Sequence, residues 1–199
     1  MTPGITLYFV RHGETEWNKT RRIQGQIDTP LNDTGRSQAA RNGRTLATLA
    51  ASNGLDLASL PFVASPLSRC TETMEIIREN AGLPRTGYAT DDRLKEIHFG
   101  DWQGEYWPEV PSIDPEGHAQ REKDTFNWRP RGGESYADLT TRAAAWLAGI
   151  TRDTVCVAHG GVSRALRGHI LKLDAAEVPE LAVPQDKILV LKAGQMEWV

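Results

Sequence analysis

The chain is poor in cysteine and in long apolar runs, and neither sign of charge dominates it. Two of its 199 residues are cysteines, and they lack any paired metal-ligand spacing, so neither a disulfide framework nor a zinc site is expected. No apolar run approaches the ~20 residues that a transmembrane helix needs. The formal net charge of −3 argues against a general nucleic-acid or membrane surface.

These absences favour a small globular protein. A length of 199 residues fits one domain over 1–199, and the N-terminus lacks the pattern of a signal peptide. We therefore expect a cytoplasmic protein that needs no metal or cofactor and has neither nucleic acid nor membrane as a partner. The sequence leaves a homodimer open.

Two segments far apart in the chain end a run of strand-forming residues in histidine and glycine. The first, 5–13, ends in Arg11, His12 and Gly13, and the second, 154–161, ends in His159 and two glycines. Open α/β sheets bind ligands at the carboxyl ends of their strands. The pair therefore predicts one shared site.

Strand and helix patterns alternate along the chain, which favours an α/β sheet covered by helices. One predicted helix carries an apolar stripe that leaves Arg69 off that face, close to the end of the preceding strand. Another begins at a capping box, Ser135 to Asp138. In addition to the N-terminal strand, the predicted strands are 61–65, 154–158 and 187–192. The predicted helices cover 32–52, 66–80, 135–150 and 162–173, and 13–31 is predicted to be a loop.

The stretch 101–131 has no periodicity and gathers Trp102, Trp107 and Trp128 with several prolines. We interpret it as a lid-like insertion. Its tryptophans either pack together or cover a substrate, and both readings stay open. Specificity determinants are expected here.

The strand-ending residues suit phosphoryl transfer. His12 has a nucleophilic lone pair if its other ring nitrogen is held as a donor. Arg11 and Arg69 could clamp the phosphoryl oxygens, because guanidinium groups bind them bidentately. His159 could add a donor, and the amides that follow it, from Gly160, offer an anion site at a helix N-terminus.

A leaving alkoxide would still need a proton, and Glu96 is the best candidate for that acid. The charge of a bound phosphate would favour its protonated form, and the same group could then activate water. Three other carboxylates in nearby loops compete for the role: Glu105, Glu109 and Glu134.

Six stretches in a fixed order resemble the histidine phosphatase superfamily, which includes phosphoglycerate mutases and broad-specificity phosphatases. They are RHGETEWN (11–18), RIQG (22–25) through DTPL (28–31), SPLSRCTET (65–73), LKEIHFGDWQG (94–104), GGES (132–135) and AHG (158–160). They span nearly the whole chain. A lone Arg-His-Gly would be a weak signal, whereas the ordered set is specific.

The resemblance implies a three-layer α/β/α fold with a mainly parallel central sheet. It implies that His12 is the phosphorylated nucleophile and Glu96 the proton donor, and that the substrate is a small phosphorylated metabolite. The implied phosphate ligands are Arg11, Arg69 and His159, and the implied substrate-binding residues are Asn18, Gln24, Gly25 and Gly160.

Departures from the family pattern favour a hydrolase. Mutases that resemble this family carry a lysine-arginine pair and a longer insertion after the acid, whereas the corresponding helix here reads Leu-Ser-Arg69-Cys-Thr. A phosphoglycerate mutase that depends on 2,3-bisphosphoglycerate and a non-catalytic module for phosphorylated ligands remain as alternatives.

Two of the arginines also have simpler interpretations. Taken alone, Arg69 would pair with Glu72 on its own helix. Arg22 is either a solvated residue or a ligand for a second anionic group.

Overall fold

The fold is built on one six-stranded sheet. The structure is a computed structural model and describes residues 4–192 and 194–199. The strand order is β3-β2-β4-β1-β5-β6. The strands are β1 (Thr6–Arg11), β2 (Phe62–Ala64), β3 (Ala89–Thr90), β4 (Thr154–Ala158), β5 (Ile188–Lys192) and β6 (Gln195–Trp198).

The four strands from β3 to β1 are parallel, and β5 and β6 extend the sheet with antiparallel pairing. Strands β1 and β4 are direct neighbours, and Arg11 pairs with Ala158 in their register. The ladder continues one step further, because the His12 amide donates to the Ala158 carbonyl at 2.9 Å. Residues that follow the two strands therefore meet at one sheet edge, as the sequence predicts.

Helices cover both faces of the sheet, which confirms the three-layer α/β/α prediction. Leu7 and Phe9 of β1 point into a core that includes residues 139–147 and 162–166. Tyr8 and Val10, on the opposite face, join a core that includes residues 46–50 and 70–77. This alternation follows from the two-residue period of a strand.

Seven α-helices accompany the sheet in the described part of the chain. They are α1 (Glu16–Lys19), α2 (Asp33–Asn53), α3 (Ser68–Asn80), α4 (Val110–Ile113), α5 (Pro115–Lys123), α6 (Tyr136–Ala148) and α7 (Gly160–Leu171). The predicted capping box of α6 is present: the Ser135 hydroxyl accepts from the Asp138 amide at 3.1 Å, and the Asp138 carboxylate accepts from the Ser135 amide at 2.9 Å. No helix in the described ranges is long and apolar enough to cross a bilayer.

Several predicted boundaries were wrong. Helix α3 begins at Ser68 and not at Pro66, because Leu67 is extended and the Asp28 carboxylate accepts from the Ser68 amide at 2.8 Å. Helix α7 begins at Gly160, two residues earlier than predicted. The sequence prediction missed α1 inside the loop 13–31, the short helices α4 and α5 inside 101–131, and the strands β3 and β6.

Candidate active site

A cavity of about 290 Å³ opens at the carboxyl edge of the parallel strands. Strand β1, the loop after it, helix α3, the segment after β3 and the start of α7 all reach it. It is lined by eight of the nine residues that the sequence analysis singles out: Arg11, His12, Asn18, Gln24, Gly25, Arg69, Glu96 and Gly160.

His12 lies at the floor of the cavity with only 2 % of its surface exposed. Its Nδ1 is 2.8 Å from the Gly13 carbonyl oxygen. A carbonyl can only accept, so Nδ1 carries the proton and Nε2 keeps a free lone pair. Burial lowers the pKa of His12 well below 6.5, and the charges of Arg69 and Arg11 lower it further. The ring is therefore neutral near pH 7.

Arg11 and Arg69 flank His12 with partly used guanidinium groups. Arg69 is 1 % exposed and donates to the carbonyls of Gly25 at 2.7 Å and Ile27 at 2.9 Å. Arg11 donates from Nη1 to the Val183 carbonyl at 2.8 Å. The Nε atoms of both arginines are buried without a partner in the described structure. Each Nη nitrogen keeps at least one further N–H, and both side chains line the cavity, so these groups fit an anion that enters it.

The alternative reading of Arg69 as a partner of Glu72 is wrong. Glu72 instead accepts from Arg36 of α2 at 2.7 Å. Arg69 turns away from it, because its guanidinium is bonded to carbonyls of the 25–27 segment.

His159 lies directly behind His12 and is fully buried. The two rings pack edge to face with centroids 5.1 Å apart. The Nε2 of His159 is 2.7 Å from the Ser65 hydroxyl. The structure thus brings the two histidines together but places the His159 ring beneath the residues that line the cavity.

Glu96 faces the N-terminus of α7. Its carboxylate accepts from the Ile97 amide at 2.9 Å and from the Gly161 amide at 3.2 Å. A Cβ at Gly161 would lie 2.4 Å from the Glu96 Oε1, so a larger residue there would push this carboxylate from its present position. Among the competing carboxylates, Glu134 is paired with Arg142 at 2.8 Å.

The mouth of the cavity is built from the segment 18–25. Gln24 is buried, and its carbonyl oxygen accepts from Thr29 at 2.5 Å. Asn18 is the N3 residue of a capping box at the start of α1. Gln185 ties this wall to the floor, because its Nε2 donates to the His12 carbonyl at 3.1 Å and lies 3.3 Å from the Asn18 Oδ1. No motif in the sequence marked Gln185.

The sequence model of the histidine phosphatase superfamily (branch 1) matches residues 7–199. The chain belongs to the histidine phosphatase superfamily. The match covers both strand-ending histidines and every segment that lines the cavity.

Two relatives outline its position within the superfamily. A glucosyl-3-phosphoglycerate phosphatase of Mycolicibacterium vanbaalenii is 37% identical over 187 residues, which cover 88% of this chain and 78% of the relative. A metal-independent phosphoserine phosphatase of Arabidopsis thaliana is 33% identical over 176 residues, covering 85% of this chain and 70% of the relative.

A solved structure shares the whole architecture. A mycobacterial glucosyl-3-phosphoglycerate phosphatase in complex with VO3 superimposes with a TM-score of 0.79 and 31% identity, over 98% of this chain and 97% of that one. This histidine phosphatase therefore has the fold of an established phosphatase over nearly its full length.

Three polar residues of the cavity were missed in the sequence: Arg121, Tyr136 and Arg164. Arg164 follows Gly160 by four residues, so helical spacing alone could have placed it on the same face of α7. Arg121 has no comparable signal, because it lies in the aperiodic stretch. Tyr136 follows the Ser135 N-cap, and burial raises the pKa of its hydroxyl.

The tryptophans of 101–131 have divided roles. Trp102 is buried and packs on Trp128 with ring centroids 4.6 Å apart. Trp107 contacts Trp102 at 6.2 Å and also lines the cavity. Internal packing accounts for two of the rings, and the third borders the site.

Because two histidines are buried, we expect the free energy of unfolding to decrease as the pH falls. The pKa values of His12 and His159 lie well below 6.5 in the folded protein, whereas unfolded histidines bind protons near pH 6.5. The unfolded chain thus binds more protons, and the free energy of unfolding falls as pH drops through that value. Between pH 7 and 5.5 we expect a loss of about 1 kcal/mol per histidine.

Urea titrations at several pH values measure this loss. His12→Asn should have a shallower pH slope than the wild type, by close to one proton. Equal slopes for His12→Asn and the wild type would contradict the prediction.

Proposed function

We propose that this chain is a metal-independent phosphomonoester hydrolase that works through a phosphohistidine on His12. The observation that carries the proposal is the hydrogen bond of Nδ1 to the Gly13 carbonyl at 2.8 Å. It leaves Nε2 as a neutral nucleophile at the floor of a cavity lined by arginine. Nucleophilic catalysis by histidine requires this tautomer.

Substrate phosphate is held by Arg11 and Arg69, whose free donors meet its oxygens. Gly160, the first residue of α7, lines the same space, where the N-terminus of the helix favours an anion. His159 stays a predicted phosphate ligand. Its position behind the His12 ring, 5.1 Å between centroids, also supports a role in holding the nucleophile.

The reaction proceeds in two steps. The Nε2 of His12 attacks phosphorus in line, the ester P–O bond breaks, and Glu96 gives its proton to the leaving oxygen. Water then attacks the phosphohistidine and gives a proton to the Glu96 carboxylate. The P–N bond breaks, inorganic phosphate leaves, and both residues return to their starting states. Asn18, Gln24 and Gly25 border the path of the leaving group.

The proposed substrate is a small phosphorylated metabolite, because a cavity of about 290 Å³ encloses a small molecule and not a polymer. The two relatives are phosphatases of glucosyl-3-phosphoglycerate and of phosphoserine, both small molecules, which supports a substrate of this kind. Two buried free cysteines fit a reducing, cytoplasmic setting. The mutase alternative has less support, since serine and not lysine precedes Arg69.

A phosphate-release assay with chelator present tests the proposal. Wild-type protein is incubated with 4-nitrophenyl phosphate and a panel of phosphorylated metabolites in EDTA. We expect release of inorganic phosphate at an undiminished rate after removal of metal. Isomerisation of phosphoglycerates that needs added 2,3-bisphosphoglycerate would favour the mutase. Phosphate binding without turnover of any ester would favour the non-catalytic module.

A further inference from the structure

Gln185 reaches the site from the segment 181–186, which leads into β5 and has no regular secondary structure. Two side chains hold the backbone of this segment. The Nη1 of Arg11 donates to the Val183 carbonyl at 2.8 Å, and the buried Asn42 of α2 donates from Nδ2 to the Gln185 carbonyl at 3.1 Å. The backbone at position 185 is therefore anchored to both β1 and α2, and its side chain extends from a fixed point.

The side-chain amide of Gln185 has a defined orientation. Its Nε2 donates to the His12 carbonyl at 3.1 Å. A carbonyl can only accept, so the amide nitrogen and not the amide oxygen must face it. The same NH₂ group has a second hydrogen, which it donates to the Asn18 Oδ1 at 3.3 Å. Gln185 thus donates to the floor and to the wall of the cavity at once.

The side-chain amide of Asn18 is oriented in the same way. Its Oδ1 accepts from the Thr15 amide at 3.2 Å. A backbone N–H can only donate, so the oxygen and not the nitrogen of Asn18 must face Thr15. The Thr15 hydroxyl also donates to this oxygen at 3.2 Å. Together with the bond from Gln185, three donors converge on one atom.

These three bonds determine what Asn18 offers to the cavity that it lines. With Oδ1 occupied, the group left for an entering ligand is the Nδ2, which is a donor. A donor attracts a phosphoryl oxygen, whereas an amide oxygen in its place would repel it. Thr15 belongs to the same turn as Asn18 and moves with it. Gln185 joins that turn to the backbone of the nucleophile, and so it sets the position of Nδ2 relative to His12.

We propose that Gln185 is a positioning residue for phosphate binding. It bonds to the His12 carbonyl and the Asn18 Oδ1 together and thereby aims the Asn18 Nδ2 at the phosphoryl group that His12 attacks. Gln185 is not among the cavity-lining residues in the described ranges, so it acts through Asn18. The proposal rests on the proposed hydrolase function and adds to it a residue outside the cavity.

A double-mutant cycle tests this role, with inorganic phosphate as the ligand and isothermal titration calorimetry as the measurement. Gln185→Met keeps the length of the side chain and removes both donors, and it should weaken phosphate binding by about three- to tenfold. Asn18→Ala should weaken it by about tenfold. When Asn18 is already alanine, Gln185→Met should add less than about twofold, because the donor that it aims is gone. Gln185→Asn, whose amide is one methylene shorter, should repeat the loss and replaces Gln185→Met if methionine destabilises the fold.

Gln195→Met is the control, because it makes the same change at an exposed position of β6. It should bind phosphate as the wild type does. Unchanged affinity in Gln185→Met and Gln185→Asn would overturn the proposal. An equal loss with and without the Asn18 side chain would also overturn it, since Gln185 would then support only the His12 backbone or the fold. Failure of the hydrolase function is distinguishable, because the wild type would still bind phosphate but would turn over no ester.

Discussion

His12→Asn is expected to lower kcat by at least about 10⁴-fold for every phosphate ester. Asparagine removes the ring nitrogen that attacks phosphorus, while it stays polar and smaller than the buried histidine. The cavity and its arginines remain, so substrate binding should weaken much less than turnover. Phosphate release by wild type and variant at saturating substrate measures the effect.

The same variant should also lose the covalent intermediate. Rapid quenching of wild-type enzyme with radiolabelled substrate should yield protein-bound phosphate that is labile in acid and stable in alkali, as phosphohistidine is. His12→Asn should yield none. His169→Asn, at an exposed position of α7, serves as the control and should label normally. Labelling of the His12 variant would identify another nucleophile and contradict the mechanism.

Glu96→Gln is expected to lower kcat for alkyl phosphates by about 10²- to 10⁴-fold, because an alkoxide leaves poorly without a proton. A nitrophenolate needs no proton to leave, so the first step with 4-nitrophenyl phosphate should stay fast. The second step should slow, because no carboxylate remains to activate water. The variant should therefore release one equivalent of nitrophenol in a burst and then turn over slowly.

Stopped-flow absorbance records the burst, and a parallel assay with glycerol 3-phosphate records the loss on an alkyl ester. Glu109→Gln alters an exposed carboxylate of the insertion and should behave as wild type. An equal loss on both esters with no burst would assign Glu96 a binding or structural role.

Arg142 offers a second way to disturb the acid without changing its carboxyl group. It is paired with Glu134 and donates to three backbone carbonyls of the 93–96 segment, including that of Glu96 at 2.9 Å. Because Arg142 would act by positioning Glu96, we expect Arg142→Ala to lower kcat more for glycerol 3-phosphate than for 4-nitrophenyl phosphate. The loss should be smaller than the loss in Glu96→Gln. A uniform loss on both esters would mean that it only supports the fold.

The fold was largely predictable because its signals are local. Apolar stripes and a capping box placed α3 and α6, and the four apolar residues of the stripe predicted over 66–80 are buried: Leu67, Cys70, Met74 and Ile77. The errors fall where contacts from elsewhere decide the structure. Asp28, forty residues away, accepts from the amide that begins α3, and edge strand β3 has only two residues.

The sequence pointed to most of the residues that line the candidate site and missed others. Motif order and strand ends pointed to His12, Arg11, Arg69 and Glu96, and all four line one cavity. Arg121 and Arg164 escaped notice because isolated arginines on a helix are ordinarily solvated. They stand out only in the folded protein, where both side chains reach a cavity that Arg11 and Arg69 already line.

The sequence by itself predicted which chemistry this protein carries, since parallel strands of one sheet that each end in a histidine present both rings at the same sheet edge. Tertiary structure decided what each ring can do. It gave His12 a carbonyl partner at 2.8 Å and buried His159 behind it on Ser65. It also brought Arg121 and Arg164 to the wall of the same cavity. The reason is physical: tautomer, burial and the sum of charges depend on distances between segments, and those distances exist only after folding.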